Sequence, residues 1–289
     1  MNDYACTLFD ISMSADEKLL LLNKSERRRS SWVFAEKSVA PLLEQLRKNP
    51  LPRTPEAGLI YSSSGKFVWK LNHETAQGPT VIAYKTNPGK TPHRYIFKSS
   101  LPVREVRNYF LFEKAGIPTA PVLAVGDMRK NFILHETFII TSFIEGSADG
   151  RIFMPGGDLY SDLENKEIFC KINLELLAKA HHALIWHKAF HPRNLLWRNT
   201  EKQMEIFWID VARCRKVSAH AMPAAIIYDL HTFFKDMRLP RETVASLLEH
   251  YRKSAPEHFL PASNAQLLEA IATFKRRAFA PRENALFAD

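Results

Sequence analysis

The residues of this 289-residue chain best suited to chemistry lie in His187-Lys188-Ala189-Phe190-His191-Pro192-Arg193-Asn194-Leu195-Leu196, followed after a hairpin-length gap by Phe207-Trp208-Ile209-Asp210. A histidine, an asparagine seven residues on, and then a strand ending in aspartate is the spacing of phosphoryl-transfer sites. That chemistry needs an oxygen-ligand pair for magnesium beside a base that orients the acceptor hydroxyl. Asn194 and Asp210 fit the metal pair, because magnesium favours amide and carboxylate oxygens and fills its remaining positions with phosphate oxygens and water. The place where the hydroxyl would meet a carboxylate is Ala189. A methyl group neither accepts that proton nor holds the acceptor in line, which predicts a severe loss of transfer but no loss of nucleotide binding.

Upstream, Lys85 closes the apolar run Thr80-Val81-Ile82-Ala83-Tyr84, and Glu105 sits near the start of the next helical segment. Such a pair aims an ammonium at nucleotide phosphates while neutralising its charge; in isolation it also reads as an ordinary surface charge pair. Asp210 ends a run that looks buried, where an unpaired carboxylate is costly, so it calls for a ligand or a strong hydrogen-bond partner. Ser63, Ser64 and Gly65 form a glycine-poor turn in the position of a phosphate-covering hairpin. His181, His182, His187 and His191 match no zinc spacing and read as structural histidines, with His187 hydrogen-bonded to backbone near the loop.

The elements that must carry these residues follow from pattern. Residues 16–48 show helical apolar spacing, interrupted by a basic run around Arg27-Arg28-Arg29 and ended by the prolines from Pro50 to Pro55. Gly58–Tyr61, Lys66–Leu71 and Thr80–Lys85 predict an antiparallel meander. A helix follows over about Val103–Lys114, closed by Gly116 and Pro118. Val122–Val125 and Phe138–Ile144 predict two more strands, and from Ile168 the pattern is helical apart from Asn194–Trp197 and Ile206–Ile209. The expectation is an α+β chain: a helical N-terminal extension (1–50), a small antiparallel β-sheet lobe with one helix (51–145) and a larger α-helical lobe (146–289).

In this order and spacing the chain resembles the lipopolysaccharide kinase family, bacterial enzymes that phosphorylate heptose or Kdo sugars of the lipopolysaccharide core. The resemblance runs from about Ser62 to Lys235. It takes in Lys85, Leu101-Pro102-Val103 leading to Glu105, Gly116-Ile117-Pro118-Thr119, Phe138-Ile139-Ile140-Thr141 as a hinge strand, His181, the 187–196 loop, Ile209-Asp210 with Arg213, and Asp229-Leu230. It implies a bilobal protein-kinase-like fold, ATP and Mg2+ as cofactors, a sugar hydroxyl as acceptor, nucleotide contacts at Ser142 and Ile144, and Asp229 bracing the loop. His191 stands where protein kinases often place a lysine, which gives it a phosphate contact or the role of base. The chain departs from the family at Ala189 and in having Leu184-Ile185-Trp186, without a glycine, before His187.

The net charge of +9 calls for an anionic partner. A lipopolysaccharide-core or related phosphorylated sugar fits, as does peripheral contact of the basic runs, among them Lys90, Arg94, Lys98, Arg104, Arg107 and Lys275-Arg276-Arg277, with an anionic membrane surface. No nucleic-acid-binding motif is present. Three scattered cysteines, Cys6, Cys170 and Cys214, and an acidic N-terminus without an apolar run predict free thiols and a cytoplasmic protein, at most peripheral to the inner membrane. Two readings of Ala189 stay open: an inactivated or engineered form of a sugar kinase, or a natural pseudokinase that binds nucleotide or a partner without transferring phosphate.

Overall fold

The computed structural model describes residues 24–26, 29–35, 37–63, 65–75, 78–88, 100–130 and 133–274. Its contacts divide the chain into two compact units, residues up to 107 with 120–145, and residues 108–119 with those from 146 onward.

The first unit is built on one antiparallel sheet. Its strands are β1 (Lys24–Glu26), β2 (Arg29–Ala35), β3 (Leu59–Ser63), β4 (Lys66–Thr75), β5 (Gly78–Pro88), β6 (Val122–Lys130) and β7 (Ile133–Ser142), with helix α1 (Ala40–Lys48) between β2 and β3. The spatial order is β1-β2-β6-β7-β5-β4-β3. The helix expected across residues 16–48 is therefore not realised over 24–26 and 29–35, which are strand; residues 1–23, 27–28 and 36 lie outside the described residues. The sequence Ser30-Ser31-Trp32-Val33-Phe34 is rich in β-favouring types, and pairing of β2 along β6 satisfies a sheet edge that would otherwise be open. Helix is confined to α1, which ends at Lys48 before Pro50, where the pre-proline backbone leaves the helical region.

Strand alternation assigns the two faces of this sheet. Ile82, Phe138 and Ile140 pack with Val39, Leu43 and Ala124 in a buried cluster that takes in α1. Lys85, paired with Ile139 and odd-numbered in the same strand as Ile82, projects from the opposite face. Helix α2 (Leu101–Lys114) begins in this unit with Val103, Glu105 and Val106 buried.

The second unit takes residues 108–114 of α2. That helix ends in a Schellman arrangement: Ile117 N–H donates to Phe112 O, Gly116 N–H donates to Glu113 O, and Gly116 supplies the left-handed backbone at φ 68°. There follow β8 (Ala148–Asp149), α3 (Leu163–His182), β9 (Ile185–Trp186), β10 (Leu195–Asn199), β11 (Met204–Trp208), β12 (Arg215–Lys216), α4 (Met222–Met237), α5 (Arg241–Ser254) and α6 (Asn264–Ala272). The order β11-β10-β8 forms one small sheet and β12-β9 another. Phe112, Phe153, Phe169, Phe190, Trp208, Phe233 and Phe234 are fully buried and form an aromatic core around the β10–β11 hairpin. Asp162 caps α3 by accepting from Asn165 N, and Ser263 with Gln266 forms a capping box on α6. No helix among the described residues is long and apolar enough to cross a membrane.

Candidate active site

Each unit carries its own part of the predicted chemistry. In the first, Lys85 Nζ lies 3.0 and 3.2 Å from the two carboxylate oxygens of Glu105, with side chains 19% and 4% exposed. Burial of the glutamate requires a cationic partner, and a lysine whose stem rises from a central strand supplies it. This is not the exposed charge pair that the two residues could have been. Ser63 is exposed and pairs with Lys66 across the β3–β4 turn, Gly65 has φ 82°, and Ser64 lies outside the described residues. Ser142 ends β7 with its N–H donated to Pro121 O, and Ile144 lies half-buried two residues beyond.

In the second unit the loop from His187 to Asn194 is held by Asp229 of α4. This carboxylate, 0% exposed, accepts from His187 N at 2.9 Å and Lys188 N at 2.8 Å. His181 Nε2 lies 3.4 Å from the same carboxylate, and its Nδ1 lies 2.6 Å from the Tyr251 hydroxyl. Burial, with Asp229 nearby, raises the Tyr251 hydroxyl well above its ordinary range, so it stays protonated. The bracing takes a strained backbone: Leu184 and Lys188 have φ 57° and 62°. Leu184 lies in the stretch where the resemblance expects glycine, and left-handed backbone costs a non-glycine residue about 1–2 kcal/mol.

His187 is fully buried against Phe112, Phe190 and Trp208, and its Nδ1 accepts from Ala189 N at 3.3 Å. It thus shapes the backbone of residue 189. Burial pushes its pKa from 6.5 down to about 4. Between those values the unfolded chain binds the proton and the folded chain does not, so stability falls as pH drops from about 6.5 toward 4, by roughly 3 kcal/mol in all. Melting temperatures recorded from pH 7 to pH 4.5 are expected to fall accordingly, with a shallower slope in His187→Asn.

Ala189 is buried, 7% exposed. Asn194 Nδ2 donates to Ala189 O at 2.8 Å, which commits the amide nitrogen and leaves Oδ1 as the group able to ligate a cation. Ile209 N–H donates to Asn194 O, tying the two metal candidates together through the backbone. Asp210 has φ 53° and ψ 44°, a left-handed conformation that aspartate tolerates. The expectation that it is buried at a strand end is corrected here: β11 stops at Trp208, the turn takes residue 210 out of the strand register, and Asp210 is exposed. The desolvation argument for a partner therefore lapses, while an accessible carboxylate suits a metal ligand. One amide and one carboxylate oxygen form a hard donor set that fits magnesium with phosphate and water as its other ligands. No group of three or more His, Cys, Asp or Glu side chains able to hold a metal occurs among the described residues.

The segment after Asp210 is also fixed. Asn108 Nδ2 donates to Val211 O and Cys214 O at 2.7 and 2.9 Å, the Cys214 thiol donates to His187 O, and β12 pairs with β9. Sequence reasoning missed Asn108, Cys214 and Asp236, whose carboxylate lies 2.7 Å from His191 Nδ1. Asp236 follows Asp229 by seven residues on one helix, so the two-turn spacing was a signal available to find it.

Residues 90–251, more than half of the chain, match the lipopolysaccharide kinase (Kdo/WaaP) family. The chain belongs to that family. No curated protein matches it. Among solved structures, WaaP in complex with acyl carrier protein is similar at 14% identity and a TM-score of 0.55, covering 83% of this chain and 95% of that one. The PknI kinase domain of Mycobacterium tuberculosis is similar at 13% identity and a TM-score of 0.40, covering 74% and 92%. The fold is α+β and protein-kinase-like, as the resemblance implied. The family match takes in Glu105, the whole 187–196 loop, Asp210 and Asp229, and begins after Lys85.

Proposed function

We propose that this lipopolysaccharide kinase family member is an ATP- and magnesium-dependent phosphotransferase that places the γ-phosphate of ATP on a hydroxyl of a lipopolysaccharide-core or related phosphorylated sugar. The observation that carries the reading is the Lys85–Glu105 pair, in which a nearly buried carboxylate positions an ammonium on a central strand. Lys85 engages nucleotide phosphates, and Asn194 and Asp210 hold magnesium. Bound magnesium neutralises charge on the phosphate oxygens and so favours transfer. Asp229 keeps the loop backbone in its conformation. The site belongs at the cytoplasmic face of the inner membrane, where the basic surface would meet anionic headgroups. WaaP forms a complex with acyl carrier protein; a protein partner of that kind is part of this proposal, and a pull-down with acyl carrier protein checks it.

A second reading, a pseudokinase that holds nucleotide without transfer, is favoured by one observation, the methyl group at Ala189. Both readings require nucleotide binding. A ligand that binds only the folded chain adds about 2.7 kcal/mol at a hundredfold excess over its Kd. MgATP is therefore expected to raise the melting temperature in a concentration-dependent way, and Asp210→Ala to remove the magnesium-dependent part. No shift at millimolar MgATP would exclude both of these readings and leave a pseudokinase that binds a partner without nucleotide.

A further inference from the structure

Ala189 and His191 are the ends of a tight turn: His191 N–H donates to Ala189 O at 2.7 Å, the i to i+2 pattern of a γ-turn, which holds their Cα atoms close. His191 Nδ1 lies 2.7 Å from Asp236 Oδ2, with side chains 18% and 23% exposed. A carboxylate on Nδ1 fixes the tautomer that carries the lone pair on Nε2, and it stabilises the imidazolium once a proton arrives. With Tyr228, His231, Thr232, Lys235, Asp236 and Phe274, His191 lines a cavity of about 90 Å3, and its side chain is only partly buried.

The other histidines near the loop lack this combination. His181 is buried with both ring nitrogens engaged, by Tyr251 and Asp229. His187 is buried with Nδ1 accepting from backbone. His182 is exposed and its Nε2 contacts Ser254 O.

We propose that His191, oriented by Asp236, is the general base of this chain in place of a carboxylate at position 189, an inference that rests on the phosphotransferase reading above. As the acceptor oxygen bonds to the γ-phosphorus of ATP, its O–H bond breaks and the proton passes to His191 Nε2. The bond from the γ-phosphorus to the β–γ bridging oxygen breaks at the same time, and ADP leaves with that electron pair. The imidazolium, held by Asp236, then releases its proton to water.

The test measures ADP formation from MgATP, with water and with deacylated lipopolysaccharide-core oligosaccharide as acceptors. The unmodified chain is expected to form ADP, His191→Ala and His191→Gln to lower the rate by about 100-fold, and Asp236→Asn by about tenfold. The MgATP thermal shift should persist in all three variants. In an Ala189→Asp background the same His191 substitutions are expected to cost less than about a tenth as much, whereas a merely structural histidine would cost both backgrounds equally. Equal losses, no loss, or a chain that binds MgATP but forms no ADP would overturn the proposal. Absence of the MgATP shift would instead remove the phosphotransferase reading itself, and the proposal with it.

Discussion

Replacing Ala189 with aspartate is expected to raise the rate of phosphoryl transfer by about 100-fold, the lower end of what a positioned base contributes. The surrounding backbone is already built. Residues 187 and 188 are anchored on Asp229, His187 Nδ1 accepts from the N–H of residue 189, and Asn194 holds the carbonyl of the same residue. The added carboxylate therefore enters a loop whose φ and ψ are set by other groups. The gain should fall in kcat with the KM for ATP little changed, the signature of an interaction made in the transition state. With His191 in place, the gain measures the advantage of a carboxylate over the imidazole two residues away. A variant that binds MgATP but turns over at background would favour the pseudokinase reading.

Asp229→Ala is expected to cost about 3–5 kcal/mol of stability, because it strips a fully buried acceptor from two backbone N–H groups and from His181. At roughly 2–4 °C per kcal/mol, the melting temperature should fall by about 6–20 °C. Asp229→Asn keeps one acceptor oxygen but turns an N–H2 toward a backbone donor, so it should be nearly as damaging. Either variant should also lose transfer activity, since Asp229 accepts from the N–H of Lys188, whose backbone it holds in a left-handed conformation. Thermal melts monitored by circular dichroism check the first effect, and ADP formation the second.

Much of the site was legible because it is encoded locally. Lys85 closes the apolar run Thr80–Tyr84, Glu105 falls early in a helix, and Asn194 lies at fixed spacing from His187, so each could be placed without tertiary information. The N-terminal strands were not legible. Their basic run and apolar spacing satisfy a helical period, and what decides for strand is the free edge of β6, about a hundred residues away in sequence. The exposure of Asp210 was hidden for a similar reason. The apolar run Phe207-Trp208-Ile209 promises continued burial, but the left-handed residue that ends it is a backbone event with no compositional mark. The His191–Asp236 pair joins a loop to a helix 45 residues away, and only the fold brings them together.

The stretch from Val211 to Ala221, clamped by Asn108 and by the pairing of β12 with β9, has a consequence for control. Switchable phosphotransferases often keep the segment after their metal-binding aspartate long and loose, so that a covalent mark can order it. Here that segment is short, and residues 211–217 are tied to Asn108 and to residues 184–186. On the phosphotransferase reading, a covalent mark there would have little slack to work on, and output would follow the supply of nucleotide and acceptor.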